Sequence, residues 1–437
     1  MASIFEQLKK VLHSKSLLLK SRLNERAFIR NRLLPFSVLV TYIMNMIRKS
    51  LQLEISSFAN FINLPDVSKQ AFSQARQKLS AETFITLNRS LIKEFYSDNE
   101  VETFKGFRVL AIDGSTIRLP KVDALYNYFK ANKEDSVPLA NVSLLYDVFN
   151  NLSLNATLQP YIGTSEKSMG MEHFQELDNL NKDINTKYND IILFDRGYLS
   201  HFLIFFLHQN NKNFLFRAST STISEVADVL KSTERDVIVN VVLTKEKLKY
   251  KPDFKKYDIN LDNMSIKVRV TIHDLPSGEK EILVSSLIDQ TQISYDELFY
   301  LYGKRWNIEE NYKLFKCITA IENFSGESKL AIEQDFYATV FTCNIGSMLA
   351  QEAQEEVNLA AADKETKYEY KINRNILIGT LKNEILEVFL GDQDLTLFCN
   401  KLKQRLKRSL VAVRPGRSFK RFFRYRNRRP LIHKNCL

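Results

Sequence analysis

The sequence predicts an α/β protein: a central mixed sheet with flanking helices, a mainly β insertion, and helical segments at both ends. Three observations predict it. Apolar residues recur at the helical period up to about residue 105. From residue 106, strand-like runs alternate with helical ones. From about 221 to 293 the strands return, and a capped helix follows them.

In order along the chain, TYIMNMIRKSLQLEI and FITLNRSLIKEFY are helical by spacing. Between them, VSKQAFSQARQKLS as a helix places Ala71, Phe72, Ala75 and Leu79 on one face and Lys69, Gln70, Ser73, Arg76 and Gln77 on the other. That second face has the residue types that read base edges and phosphates, and it equally fits a solvated surface. RVLAIDGSTIRL, LANVSLLYDVF and LSLNATLQPY read as strands, the last two joined by a turn at Asn150 and Asn151. SMGMEHFQELDNLNKDI is helical, DIILFD a short strand, LSHFLIFFLHQNN a helix and NFLFRAS a strand, so the order is β-β-β-α-β-α-β. DVIVNVVLT, SIKVRVTIHDL and EILVSSLI form the insertion, with a turn at Pro276-Ser277-Gly278. Ser294 and Glu297 make a capping box ahead of a helix expected to run to about Lys316. The rest is mostly helical and ends in a basic tail.

The 437 residues suffice for two or three domains, and 44% hydrophobic with 26% charged residues is a globular composition. The amphipathic start, MASIFEQLKKVLHSK, and apolar runs too short to span a bilayer lead to the expectation of a cytoplasmic protein. Cys317, Cys343, Cys399 and Cys436 are too scattered for a disulfide framework, and His433 with Cys436 is only half a zinc site. The net charge is +11, concentrated at the two ends: from Lys401 onward there is no Asp or Glu. Basic ends around an acidic centre fit a polyanion held at the periphery, or a soluble protein with a disordered basic tail.

The chemistry is expected from three carboxylates. In YGKRWNIEENYKLFK, taken as one helix, Tyr302, Arg305, Glu309 and Lys316 at offsets of three, seven and fourteen share an arc of roughly 60°. Such a polar stripe is unusual for a surface helix, and Glu310 points elsewhere. Asp113 interrupts the apolar strand VLAID and Asp195 ends ILFD. Carboxylates on largely buried strands are costly unless paired or metal-bound. If the two strands are adjacent, Asp113, Asp195 and Glu309 converge, and an oxygen-only ligand set favours Mg²⁺ or Mn²⁺.

These residues resemble those of DDE recombinases with a ribonuclease-H-like core, specifically the insertion-sequence-4 family of transposases. The family's helix signature, Y-x2-R-x3-E-x6-K, is matched by Tyr302, Arg305, Glu309 and Lys316. Its D-x-G-Y block is matched by Asp195-Arg196-Gly197-Tyr198, and its first block by DGSTIRLP at Asp113. The resemblance covers roughly residues 67 to 325 and the tail RPGRSFKRFFRYRNRRP.

The resemblance implies a five-stranded ribonuclease-H-like sheet. It implies a helical DNA-binding region over 1–105, a catalytic core over 106–330 with the β insertion at about 221–293, and a helical C-terminal region with a basic tail over 331–437. The implied activity is cut-and-paste transposition: cleavage at terminal inverted repeats and joining of 3′ ends to target DNA, with two Mg²⁺ or Mn²⁺ ions held by Asp113, Asp195 and Glu309. Double-stranded DNA is the implied partner, with a dimer in the synaptic complex of a bacterial cytoplasm. Tyr302, Arg305 and Lys316 are the expected phosphate contacts, joined by Arg196, Lys69, Arg76 and, in the tail, Arg417 and Arg421. Trp306 is expected to pack in the core, Gly197 to permit a tight turn, and Glu172 and His173 to be structural. Ser115 and Thr116 fit either a backbone or a DNA contact. Rival readings are a catalytically silent derivative, another ribonuclease-H-like nuclease and a structural nucleoid protein.

Overall fold

The structure is a computed structural model, describing all residues except 31–32, 46–47, 49, 99–100, 131–136, 185–187, 220–222, 245–264, 363–367 and 415–437. Six helices come first: α1 (Ala2–Leu12), α2 (Lys15–Ser21), α3 (Phe36–Met44), α4 (Leu51–Phe61), α5 (Lys69–Arg76) and α6 (Glu82–Asp98). The central strands are β1 (Phe107–Arg118), β2 (Leu139–Asp147), β3 (Leu152–Pro160), β4 (Asn189–Phe194) and β5 (Asn213–Ala218). Between them lie α7 (Asp123–Phe129), α8 (Glu166–Asp183) and α9 (His201–Gln209). The short α7 is absent from the sequence reading; its seven residues hold too little periodicity to register.

The five strands lie in the order β3-β2-β1-β4-β5. β2 runs antiparallel to β1 and β3, while β1, β4 and β5 are parallel. This is the ribonuclease-H-like arrangement. The insertion carries α10 (Ser224–Val229), β6 (Asp236–Val242), β7 (Ser265–Asp274) and β8 (Lys280–Ser285). It is continuous with the central sheet, because β8 pairs antiparallel with β5 and extends it to eight strands ending in β7 and β6. An edge strand as apolar as β5 needs a cover, and β8 supplies one.

The expected single helix from Ser294 to Lys316 is instead three pieces. The capping box forms as read, with Ser294 and Glu297 exchanging side-chain-to-backbone hydrogen bonds at 2.8 and 3.3 Å. It starts α11 (Tyr295–Gly303); after a tight turn comes α12 (Trp306–Lys313), then a π-turn over Leu314–Ile318. At the break, Lys304, Arg305, Asn307 and Ile308 all bond three residues back instead of four. The chain finishes with α13 (Lys329–Ala362), β9 (Glu369–Ile372), α14 (Arg374–Leu390), α15 (Leu395–Lys407) and β10 (Leu410–Val413).

Each face of the sheet buries its own apolar core. On one face, Leu110 and Ile112 of β1 pack with α8, α9 and the terminal helices. On the other, Val109 and Ala111 pack with α11, α12 and α7. Strand alternation therefore sends Asp113 to the α12 side.

The N-terminal helices are bolted to α13 through a buried charge cluster. Arg76 bonds Gln334 at 2.8 Å, Ser325 at 2.7 Å, the Ala331 carbonyl at 3.2 Å and Asp335 at 3.0 Å. Gln334 in turn donates to the carbonyls of Arg76 and Leu79. Arg48 reaches the Thr319 carbonyl and the Thr339 hydroxyl, both at 2.7 Å. Among the described residues, no helix is long and apolar enough to cross a membrane.

Candidate active site

Three elements bring the carboxylates to one end of the sheet. The β1–β4 register ends at the pair Ile112↔Phe194, so Asp113 and Asp195 are the next residues along two neighbouring parallel strands. Asp195 opens a turn closed by the Tyr198 N–H to the Asp195 carbonyl at 3.0 Å. Gly197 lies in that turn, but its φ is not positive and a Cβ there would meet nothing, so the turn does not require glycine. Glu309 comes from α12, across the α12-side core.

Arg305 joins two of the three. Its Nη1 lies 3.3 Å from Asp113 Oδ2 and its Nη2 lies 2.7 Å from Glu309 Oε1. Asp195 also acts on the Arg305 charge. Burial would weaken that charge, but the Tyr302 ring group, Glu309, Asp113 and Asp195 outweigh it and hold Arg305 firmly protonated. Burial pushes the Asp113 carboxyl up to about 6, against the pull of Arg305 and of the Gly114 N–H, with Glu166 and Glu309 adding to the rise. Among the described residues, no group of three or more His, Cys, Asp or Glu side chains is placed to hold a metal ion. Instead of the expected three-carboxylate cluster, Asp113 and Glu309 meet on one guanidinium, with Asp195 near enough to act on its charge. The donor chemistry still fits a hard divalent cation: Asp113 and Glu309 offer only oxygen and share one cationic partner.

The other expected contacts divide. Arg305 is 5% exposed and committed to carboxylates, so it does not stand free for a phosphate. Tyr302 is buried, and its hydroxyl is without a hydrogen-bond partner among the described residues, beside Asp195, Arg217 and Glu281 rather than at the surface. Lys316 bonds the Ser115 hydroxyl at 2.6 Å, a side-chain contact rather than the backbone one expected. Arg196 and Lys69 are exposed, as a DNA contact requires. Arg76 is buried and bound to Asp335, which removes it from any DNA-reading face. Trp306 is 46% exposed rather than packed in the core, at the start of α12 with Arg305 over its ring. Arg417 and Arg421 lie outside the described residues, as do His433 and Cys436.

Several neighbours escaped the sequence reading. Arg217 of β5 pairs with Glu281 of β8 at 3.4 Å, next to Asp195. Only the β5–β8 pairing brings them there, and no local signal in the sequence carries it. Glu166 lies against Gly114, where a Cβ would come within 2.8 Å of its Cγ. Tyr312 donates to the Asp113 carbonyl at 2.9 Å. Its spacing of three from Glu309 was a usable signal, since both then face β1.

His173 is buried and structural, as expected. Its Nε2 lies 2.9 Å from the Ser143 hydroxyl and its Nδ1 lies 3.0 Å from Asn155. Burial pushes its pKa down to about 3. An unfolded histidine titrates at about 6.5, so acid protonates the unfolded chain first. Stability from this group is fully present above that value and declines as pH falls toward the folded one. His173→Gln is expected to flatten the fall in melting temperature between about pH 6 and pH 4. Identical slopes for the two proteins would remove His173 as its source.

The strand order is that of a ribonuclease-H-like sheet, and Asp113 and Asp195 lie just beyond the last pair of its two adjacent parallel strands. A family model described as "Transposase DDE domain" matches residues 105–345, just over half of the chain. The chain belongs to that transposase family. Among solved structures it is similar to the cryo-EM structure of piggyBac transposase synaptic complex with hairpin DNA, with a TM-score of 0.47 and 12% identity over 95% of this chain and 87% of that one. No curated protein matches the chain.

Proposed function

We propose that this chain is a cut-and-paste DNA transposase of the insertion-sequence-4 type, which binds terminal inverted repeats, cleaves there and joins the 3′ ends to target DNA. The observation that carries the reading is the convergence of Asp113 and Glu309, from a strand and a distant helix, on the single guanidinium of Arg305, with Asp195 on the adjacent strand. Asp113, Asp195 and Glu309 would hold two Mg²⁺ or Mn²⁺ ions. When bound, such ions activate a water or a 3′-hydroxyl and stabilise the leaving oxygen.

The chain's own residues do the rest. Arg305, held between Asp113 and Glu309, can turn to a backbone phosphate once cations take over its carboxylates, and its planar fork suits bidentate contact. Lys316, on the Ser115 side of the site, adds a point charge. The exposed Trp306 ring offers a stacking surface for an unpaired base beside the site. Arg196, Lys69 and the basic tail with Arg417 and Arg421 would bind phosphates away from the site, and that binding should weaken steeply with salt. The reading includes residues 1–105 as the end-binding region, 106–330 as the catalytic core and a dimer bridging two ends in a bacterial cytoplasm.

A second reading is favoured by one observation. Arg305 already neutralises Asp113 and Glu309, which would suit a transposase-derived DNA-binding protein without activity. Incubating the protein with Mg²⁺ and duplex DNA bearing the repeats that flank its gene separates the two. The transposase reading expects nicks at the repeat boundary. Specific binding without nicks, in Mg²⁺ and in Mn²⁺, would establish the silent form instead.

A further inference from the structure

The main-chain oxygen of Asp113 is held by hydroxyls from both faces of the sheet. From the α12 side, Tyr312 donates to it at 2.9 Å. From the α8 side, Ser143 of β2 donates to it at 3.2 Å. Ser143 is oriented in turn: His173 Nε2 lies 2.9 Å from its oxygen, and Asn155 Nδ2 lies 3.0 Å from His173 Nδ1. The directions along this chain are consistent. An amide NH₂ can only donate, so Nδ1 accepts, the ring proton sits on Nε2 and points at Ser143, and the Ser143 proton is left for the Asp113 oxygen, with the Tyr198 hydroxyl as the other group that Ser143 bonds. Ser143 and His173 are fully buried, so no water competes for these bonds.

Tyr312 follows Glu309 by one helical turn on α12. Its bond therefore ties the Glu309-bearing helix to the residue that carries the first aspartate. Two further contacts flank it along the same segment: Arg305 to the Asp113 carboxylate at 3.3 Å and Lys316 to Ser115 at 2.6 Å. Of the three, Arg305 and Lys316 are the charged groups expected to turn to DNA phosphates, which leaves Tyr312 as the neutral contact that persists. A helix held to a strand by apolar packing alone can slide by a fraction of a turn, and ångström-scale misplacement of reacting groups is costly in rate.

We infer that Tyr312 is a positioning residue, which sets the spacing of Glu309 from Asp113 through the Asp113 carbonyl, with the Asn155–His173–Ser143 chain as its counterpart on the opposite face. The inference rests on the reading of Asp113 and Glu309 as partners in one cation-dependent site. It assigns no contact with substrate to Tyr312, Ser143 or His173.

The test is Tyr312→Phe, which removes one hydroxyl and keeps the ring in the α12-side core. Mn²⁺ affinity of the full chain, titrated by electron paramagnetic resonance, is expected to fall on the order of tenfold, as for loss of groups that orient metal ligands. In the DNA cleavage assay kcat should fall by about tenfold or more with KM unchanged. His173→Leu should act in the same direction, and His173→Gln, which restores a donor toward Ser143, should recover most of the loss. Wild-type Mn²⁺ affinity and kcat in Tyr312→Phe, even with a lower melting temperature, overturn the inference while leaving the site intact. Asp113→Asn is the control: if it binds Mn²⁺ as wild type does, the carboxylate site falls and the inference falls with it.

Discussion

Asp113→Asn is expected to abolish metal-dependent cleavage of the element's ends, a loss on the order of a thousand-fold, while end binding without metal stays within about twofold. The substitution is nearly isosteric. Asn can keep the bond that Asp113 Oδ1 accepts from the Gly114 N–H at 2.9 Å, so the local backbone has no reason to move. What disappears is the negative charge, and with it one of the oxygen ligands proposed for the divalent ions. Glu309→Gln should do the same from the helix side, and the double variant should be little worse than either, since groups that act as one unit do not add. Single-turnover cleavage of labelled duplex ends, with binding followed separately by mobility shift, reads both quantities. Cleavage at the wild-type rate by both single variants would end the site assignment.

Arg76→Ala is expected to cost about 3–5 kcal/mol of folding stability, the usual penalty for stranding one partner of a buried ion pair. Arg76 and Asp335 are both almost fully buried, and Arg76 satisfies Gln334, Ser325 and the Ala331 carbonyl as well. Burial alone would raise the Asp335 carboxyl, but Arg76, Arg48 and the Ser325 N–H and hydroxyl hold it below the usual carboxylate range. A folded pKa below the unfolded one gives stability that is present above the unfolded value, about 3.9, and is lost as pH falls through the folded value. Without Arg76 the remaining burial favours the protonated acid, so the destabilisation measured by urea at pH 7 should shrink as pH approaches about 4. Loss of DNA binding with unchanged stability would instead return Arg76 to the surface role its helical spacing suggested.

The sequence carried much of this arrangement because its signals were local. Strand alternation and helix periodicity located the central strands, α8, α9 and the capping box at Ser294 and Glu297. Parallel neighbouring of β1 and β4 then placed Asp113 beside Asp195. What was not legible depended on partners far along the chain. The polar side of α5 looks like a solvent face, yet Arg76 meets Asp335, Gln334 and Ser325 from α13 and the loop before it. Composition cannot separate a cation facing water from one facing a buried carboxylate. The break at Lys304 and Arg305 is equally silent, because both residues keep right-handed helical dihedrals and only the hydrogen-bond pattern tightens. Trp306 is a different case: its residue type alone pointed to the core, and its ring lies at the surface at the start of α12.

The Arg76 cluster also governs distance. It pins α5 to α13 by charge and hydrogen bonds rather than by a pliant linker. If residues 1–105 bind the element's ends as proposed, a duplex held there would meet Asp113 at a separation dictated by the protein, as between the jaws of a caliper. Inserting half a helical turn of DNA between the recognised bases and the scissile phosphate would then swing that phosphate to the far side of the duplex, out of reach of the acidic side chains.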